Sequence, residues 1–214
     1  GAPENRDYDN LKRIVNPLKL HFTVAPEIEK VLDFIDYVNS KGDTISIGHS
    51  DADSLLVKNA LRAGATSFTH LFNAMKGINH REPGVAGTAL LSNAFVELIC
   101  DGVHVNPEIM NIVYRLKGKD QIILVTDAMQ AAGLGDGDFV FGGSKVCVQD
   151  GIARNEDGTL ASSTLTMLDA VRNMMKLTDV SFAEAIQMAT LNPAKLLGLD
   201  RVLGSIAEGK RADI

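Results

Sequence analysis

Apolar, largely β-branched runs recur along the chain at 20–25, 44–48, 67–71, 95–100 and 121–126, with longer amphipathic stretches between them. Each run is short and nearly continuous in hydrophobicity, as parallel strands covered on both faces are. Ile28, Val31, Leu32, Ile35 and Val38 fall on one helical stripe, and Leu56, Val57, Ala60 and Leu61 on another. Asn106 and Pro107 open a further helix as N-cap and first helical residue, and Gly118 stops it. This alternation predicts βα units and a parallel α/β sheet.

After Asp127 the rhythm changes. DFVFGGSKVCVQDGIARNEDGTLASS is divided by Gly142-Gly143, Asp150-Gly151 and Asp157-Gly158, which are turn signals for an inserted β-hairpin or small ribbon. Helices return over 165–177, over 181–190 with Ser181 and Glu184 as a capping box, and over 193–197.

Composition narrows the class. With 214 residues, 45% hydrophobic and 22% charged, the chain suits one large globular domain or two small ones. No apolar run approaches the roughly 20 residues that cross a bilayer, so no membrane partner is expected. A net charge of -6, with acids and bases intermixed, offers no basic stripe and argues against nucleic acid. Cys100 and Cys147 stand in apolar stretches and read as reduced thiols, which fits a cytoplasmic location. The chain opens on Gly1 rather than methionine and stops at GKRADI, where 212–214 read as entering another strand, so a fragment cut at both ends is expected.

Polar residues terminate the strand-like runs, always on the C-terminal side: Glu27, His49, His70 with Asn73, Asp101 with His104, and Asp127. In a parallel barrel these ends share one rim, where barrel enzymes build their sites. Two histidines and an aspartate there suit a divalent metal with acid/base catalysis by Asp127. Glu27, after Pro26, reads as favouring a helix start through the dipole. His21, inside a strand, reads as a satisfied core or interface group and His80, in a loop, as solvated. Arg81, on an irregular loop, suits bidentate phosphate binding or a surface pairing with Glu82 or an aspartate.

TVAPE, IGHSDA, THLFNAM, REPGVAG, DGVHV, LVTDA, LTM and MATLNPAKLLGL occur here in the order of the N-acetylglucosamine-6-phosphate deacetylases of the amidohydrolase superfamily, which the chain resembles over nearly its whole length. The resemblance implies a (β/α)8 TIM-type barrel, with residues 1–204 forming part of it, the ribbon inserted near 138–160, and 205–214 starting the return to a small β-sandwich. It implies His49 and His70 as metal ligands, with Zn2+ expected and Fe2+, Mn2+ or Co2+ as alternatives, and Asp127 as acid/base. It implies substrate contacts from Asn73, Ala74, Asp101, Gly102, Val103, His104, Leu160, Ala161 and Ser162. Arg81 matches the phosphate-binding arginine that reaches the neighbouring site of a homodimer. The implied activity is release of acetate from a phosphorylated N-acetyl amino sugar, in amino-sugar catabolism. The family's third ligand, a glutamate in an HLEGP stretch, would precede residue 1, and Ser162 stands where a glycine is common. Two other readings stay open: an amidohydrolase of a cyclic amide or another N-acyl sugar, and a non-catalytic fragment lacking the glutamate.

Overall fold

The computed structural model describes residues 2–213. Five strands, β1 (His21–Val24), β2 (Thr44–Ile47), β3 (Ser67–Phe68), β4 (Phe95–Ile99) and β5 (Ile122–Val125), form one parallel sheet in chain order. The crossovers are α2 (Val31–Ser40), α3 (Ser54–Arg62), α4 (Gly84–Leu91) and α5 (Pro107–Lys117), while α1 (Asn5–Val15) precedes β1. Beyond β5 comes an antiparallel ribbon, β6 (Gly137–Phe141), β7 (Ser144–Gln149) and β8 (Ile152–Asn155), then α6 (Met167–Leu177), α7 (Phe182–Ala189) and α8 (Leu191–Leu196). No helix among the described residues is long and apolar enough to cross a membrane. Residues 212 and 213 form no strand, and Ile214 lies outside the described residues.

The anticipated caps are present. Asn106 accepts from the Glu108 amide at 2.8 Å with Pro107 in the first turn, and Gly118 closes α5. Ser181 and Glu184 form the reciprocal box that starts α7. The expected helix at 28–39 begins later, at Val31, because Lys30 takes a left-handed φ of 62°. The ribbon has three strands, turning at Gly142-Gly143 and Asp150-Gly151, and owns a small core of Met129, Ala131, Val146, Val148, Ala153 and Ala161.

The two faces of the main sheet differ across β1 to β3, which corrects the expectation of strands apolar on both sides there; β5 meets it, with Ile122, Ile123 and Leu124 all buried. Side chains alternate across a strand. Phe22, Ile45, Ile47, Phe68, Val96, Leu98, Ile122 and Leu124 join Ile35, Val57, Met110 and Val113 of the helices in one core. The opposite face carries His21, Thr23, Thr44, Ser46, Ser67 and Thr69 from β1 to β3 and just beyond, and Phe95, Glu97, Ile99, Ile123 and Val125 from β4 and β5. Thr69 Oγ1 lies 2.9 Å from Thr23 Oγ1 and donates to Ser46 Oγ at 2.7 Å. His21 is half satisfied: Nδ1 meets Thr44 Oγ1 at 2.7 Å, whereas buried Nε2 has no hydrogen-bond partner and sits 3.6 Å from Glu97 Oε1.

Two positions tie this frame together. A Cβ on Gly48 would stand 2.8 Å from Thr69 Cβ and 2.9 Å from Thr23 Cγ2, so β2 and its neighbours meet here at glycine distance. Lys117 is buried, and its Nζ donates to the Ala89, Ser92 and Ala94 carbonyls at 3.2, 2.6 and 2.7 Å, closing the α4–β4 turn. Burial brings its pKa down to about 8.

Gly48→Ala is expected to lower unfolding free energy by about 1–3 kcal/mol through overpacking. Lys117→Met, which leaves three carbonyls without their donor, is expected to cost about 2–4 kcal/mol. Urea denaturation of each variant against the parent protein measures both.

Candidate active site

The register of β2 and β3 pairs Ile47 with Phe68. Two residues beyond that pair the chain reaches His49 on one strand and His70 on the other. The pairing continues past the strands, through a parallel bridge between Ser50 and Met75. Adjacent strands lie about 4.8 Å apart, so side chains from matched positions meet. His49 Nε2 and His70 Nε2 are 2.9 Å apart, with ring centroids at 4.6 Å and an interplanar angle of 78°.

Both histidines leave their strands in the left-handed region, at φ values of 49° and 32°, and Ala74, Asp127 and Ser162 share it at 47°, 48° and 61°. L side chains rarely adopt this conformation, at a cost of roughly 1–3 kcal/mol each. All five are residues singled out from the sequence, and they gather at the C-terminal ends of β2, β3 and β5. Ser162 holds a left-handed backbone shape that favours glycine, the residue that the resemblance leads one to expect there.

Partial burial, then the neighbouring His70, hold His49 below the usual histidine range, while Asp127 pulls the other way. His49 therefore favours the neutral imidazole, and its Nε2 stands beside that of His70. Neutral imidazoles suit zinc or iron. His70 Nδ1 is buried without a hydrogen-bond partner. Among the described residues no third His, Cys, Asp or Glu joins them as a group of three. In kind, then, the donor set fits a divalent ion, and in number it supplies two of the three protein ligands that a catalytic site of this sort uses.

Asp127 stands exposed just past β5. Its carbonyl accepts from the Ser163 amide at 2.8 Å and from the Ser162 hydroxyl, and Ala128 bridges Ser163. The segment of Leu160, Ala161 and Ser162 is thereby laid across the end of β5, with Leu160 bridged to Arg154 of β8.

Beyond β4, Asp101 Oδ1 accepts from the Val103 and His104 amides, both at 2.8 Å, and Oδ2 lies 2.5 Å from His104 Nδ1. Burial pushes the Asp101 carboxyl up, but the bonds from His104 and Val103 outweigh it and hold the pKa below the usual range. The carboxylate accepts a hydrogen bond from Nδ1–H and leaves Nε2 of His104 as the free ring nitrogen. Gly102 makes the turn at a φ of 78°.

Other residues are turned elsewhere. The Asn73 amide is engaged with the carbonyls of His70 and Leu71 at 3.2 and 3.3 Å. Arg81 is exposed, its backbone amide bound to Asn79 Oδ1 at 2.9 Å, and no ion pair or hydrogen bond among the described residues links its guanidinium to the histidines. Glu82 does not pair with it: one carboxylate oxygen accepts from the Ser54 and Gly84 amides, at 2.8 and 3.0 Å. His80 is exposed, in agreement with its reading.

Glu27 corrects its sequence reading. It starts no helix; its carboxylate accepts from Ser50 Oγ at 2.7 Å and from the Asp51 amide at 2.8 Å. Burial raises its pKa, and those two bonds with Lys76 nearby more than offset the rise, so the carboxyl lies below the usual range. Ser50 was not singled out, although it follows His49 directly and is 3% exposed. A cavity of about 900 Å³ between α7, α8 and the residues after 196 lies away from all these groups and is lined by apolar residues such as Leu191, Leu197 and Leu203.

Residues 13–214 match the amidohydrolase family. The chain is 45% identical over 192 residues to an N-acetylgalactosamine-6-phosphate deacetylase of Escherichia coli O157:H7, covering 89% of this chain and 51% of that protein. It is 43% identical over 193 residues to an N-acetylglucosamine-6-phosphate deacetylase of Bacillus subtilis (strain 168), covering 90% and 49%. The crystal structure of the N-acetylglucosamine-6-phosphate deacetylase from Pasteurella multocida superposes with a TM-score of 0.92 at 34% identity, covering 99% of this chain and 55% of that one. The chain thus spans about half the length of the curated relatives it matches. Its five parallel strands with their rim of histidine and aspartate accordingly form part of a (β/α)8-type barrel, and the chain belongs to the amidohydrolase family.

Proposed function

We propose that the protein hydrolyses the acetamide of an N-acetyl amino-sugar 6-phosphate, giving acetate and the free amine. The observation that carries this reading is the convergence of the His49 and His70 Nε2 atoms at the rim that Asp127 shares. His49 and His70 would hold a divalent ion, Zn2+ in the first instance, with the glutamate that the resemblance puts before residue 1. Bound there, the ion supplies Lewis-acid chemistry, lowering the pKa of a water and drawing charge from a carbonyl.

The chain's own groups do the rest. Asp127, exposed at the rim, accepts a proton from the attacking water and returns it to the departing amine, since an amide nitrogen leaves readily only when protonated. Arg81, unpaired within its own chain among the described residues, anchors the phosphate of a substrate in the neighbouring protomer of a homodimer. A remote anchor of this kind positions the acetamide and lowers the entropic part of the barrel-rim reaction. His104, its tautomer fixed by Asp101, offers Nε2 to a sugar hydroxyl, and Asn73, Ala74, Gly102, Val103 and the Leu160, Ala161 and Ser162 segment line the sugar. The same reading divides the chain into barrel up to 204 and the return to a small sandwich after it, in a cytoplasmic enzyme of amino-sugar catabolism.

The gluco and galacto epimers both occur among the relatives' substrates, so both sugars belong in the assay. Acetate release from each is expected to need the metal and to vanish on exhaustive chelation, returning with added Zn2+. Asp127→Asn is expected to lower kcat about 10²–10⁴-fold with the fold retained. Arg81→Ala is expected to raise KM at least about tenfold, as loss of a charged phosphate contact should, with kcat changed far less. Wild-type turnover in Asp127→Asn would contradict the proposal.

A further inference from the structure

The side chain of His49 is exposed, and among the described residues its ring makes no hydrogen bond apart from the contact with His70. Its direction therefore depends on its backbone, which is held in a conformation that an L residue leaves unless both neighbours are fixed. On one side Gly48 is wedged against Thr69 and Thr23. On the other side Ser50 is fixed by four hydrogen bonds. Its amide donates to the Ala74 carbonyl at 3.0 Å and its carbonyl accepts from the Lys76 amide at 2.9 Å. Its hydroxyl accepts from the Ala52 amide at 3.1 Å and donates to Glu27 Oε2 at 2.7 Å. Glu27 Oε1 takes the Asp51 amide as well, at 2.8 Å.

Glu27 thus reaches from the turn after β1 across to the loop after β2, and through Ser50 to the loop after β3 that carries Ala74. We infer that Glu27 is a positioning residue for the histidine pair: by anchoring Ser50 and Asp51 it keeps His49 left-handed and so sets the approach of the His49 and His70 Nε2 atoms. The inference rests on reading that pair as metal ligands, and adds to it a group that touches neither metal nor substrate. A carboxylate suits the task because it accepts two hydrogen bonds from two donors at once. Glutamine at the same place can accept the Asp51 amide with its one oxygen but presents an NH2 to the Ser50 hydroxyl, which already accepts from Ala52.

The test compares the wild-type protein with Glu27→Gln, Ser50→Ala and the double variant. Each is stripped of metal and titrated with Zn2+, then assayed on N-acetylglucosamine-6-phosphate, with the thermal midpoint recorded separately. Both single variants are expected to bind Zn2+ about 10–100-fold more weakly, as loss of an outer hydrogen-bond partner of a metal ligand does. At saturating Zn2+, kcat is expected to stay lowered while KM holds within about twofold, since the phosphate anchor is untouched. The double variant is expected to match the worse single one, because both act along one path. Folded variants that bind Zn2+ and turn over as the wild type does would overturn the inference alone. So would losses that disappear on cooling well below the thermal midpoint, which mark a purely structural brace. A wild type that takes up no Zn2+ would instead overturn the reading of the histidine pair, and the inference with it.

Discussion

Everything at the rim depends on the parallel register that matches Ile47 with Phe68 and then ends both strands by the same device. Were either strand displaced by one residue, its side chains would swap faces, the core residues would leave the helices, and the two imidazoles would no longer stand side by side. The register is itself enforced from the core side, where Ile45, Ile47, Phe68 and Val96 are fully buried. Apolar burial of this kind contributes about 1.5–3 kcal/mol per side chain. A slip would forfeit several such contributions at once, which is far more than the rim needs to stay in place.

The same sheet is built with two different surfaces. One face is a continuous apolar core under α2 to α5; the other carries hydroxyls and His21 over β1 to β3 and turns apolar over β4 and β5, where Ile99, Ile123 and Val125 flank Glu97. The first face supplies most of the apolar burial; on the second, Thr23, Ser46 and Thr69 satisfy one another by hydrogen bonds. Local strain is concentrated where the two meet solvent, at His49, His70, Ala74, Asp127 and Ser162. The surrounding hydrogen bonds, from Glu27 through Ser50 to Ala74 and from Asp127 to Ser163, over-determine these backbones and make the strain tolerable.

Much of this was legible in the residues. The strands, the caps at Asn106 and Ser181 and the ribbon turns are local signals, and local physics produced them. His49, His70 and Asp127 were legible because each ends an apolar run, and strand ends share a rim. The resemblance then gave them roles that position alone does not. What escaped detection was non-local or lacked contrast. α4 is apolar all round, GVAGTALL, and is buried from Gly84 through Leu90, so it shows no period to find. The alternation of TISI and HFTV was masked by β-branched threonine and serine, which read as strand formers rather than as a polar face. Glu27 looked like a helix-starting acid because its partners, Ser50 and Asp51, lie more than twenty residues away. No spacing rule predicts that Ser162 rather than glycine occupies a left-handed position; it follows only from the bond between its hydroxyl and the Asp127 carbonyl.

The central claim is that two imidazoles converge on one cation. The most direct measurement is a crystal structure of the zinc-loaded protein with anomalous diffraction recorded at the zinc edge. The account predicts one strong peak about 2.0–2.1 Å from Nε2 of both His49 and His70, as zinc–imidazole bonding requires. A peak bound elsewhere, with the two rings still in contact with each other, would contradict it.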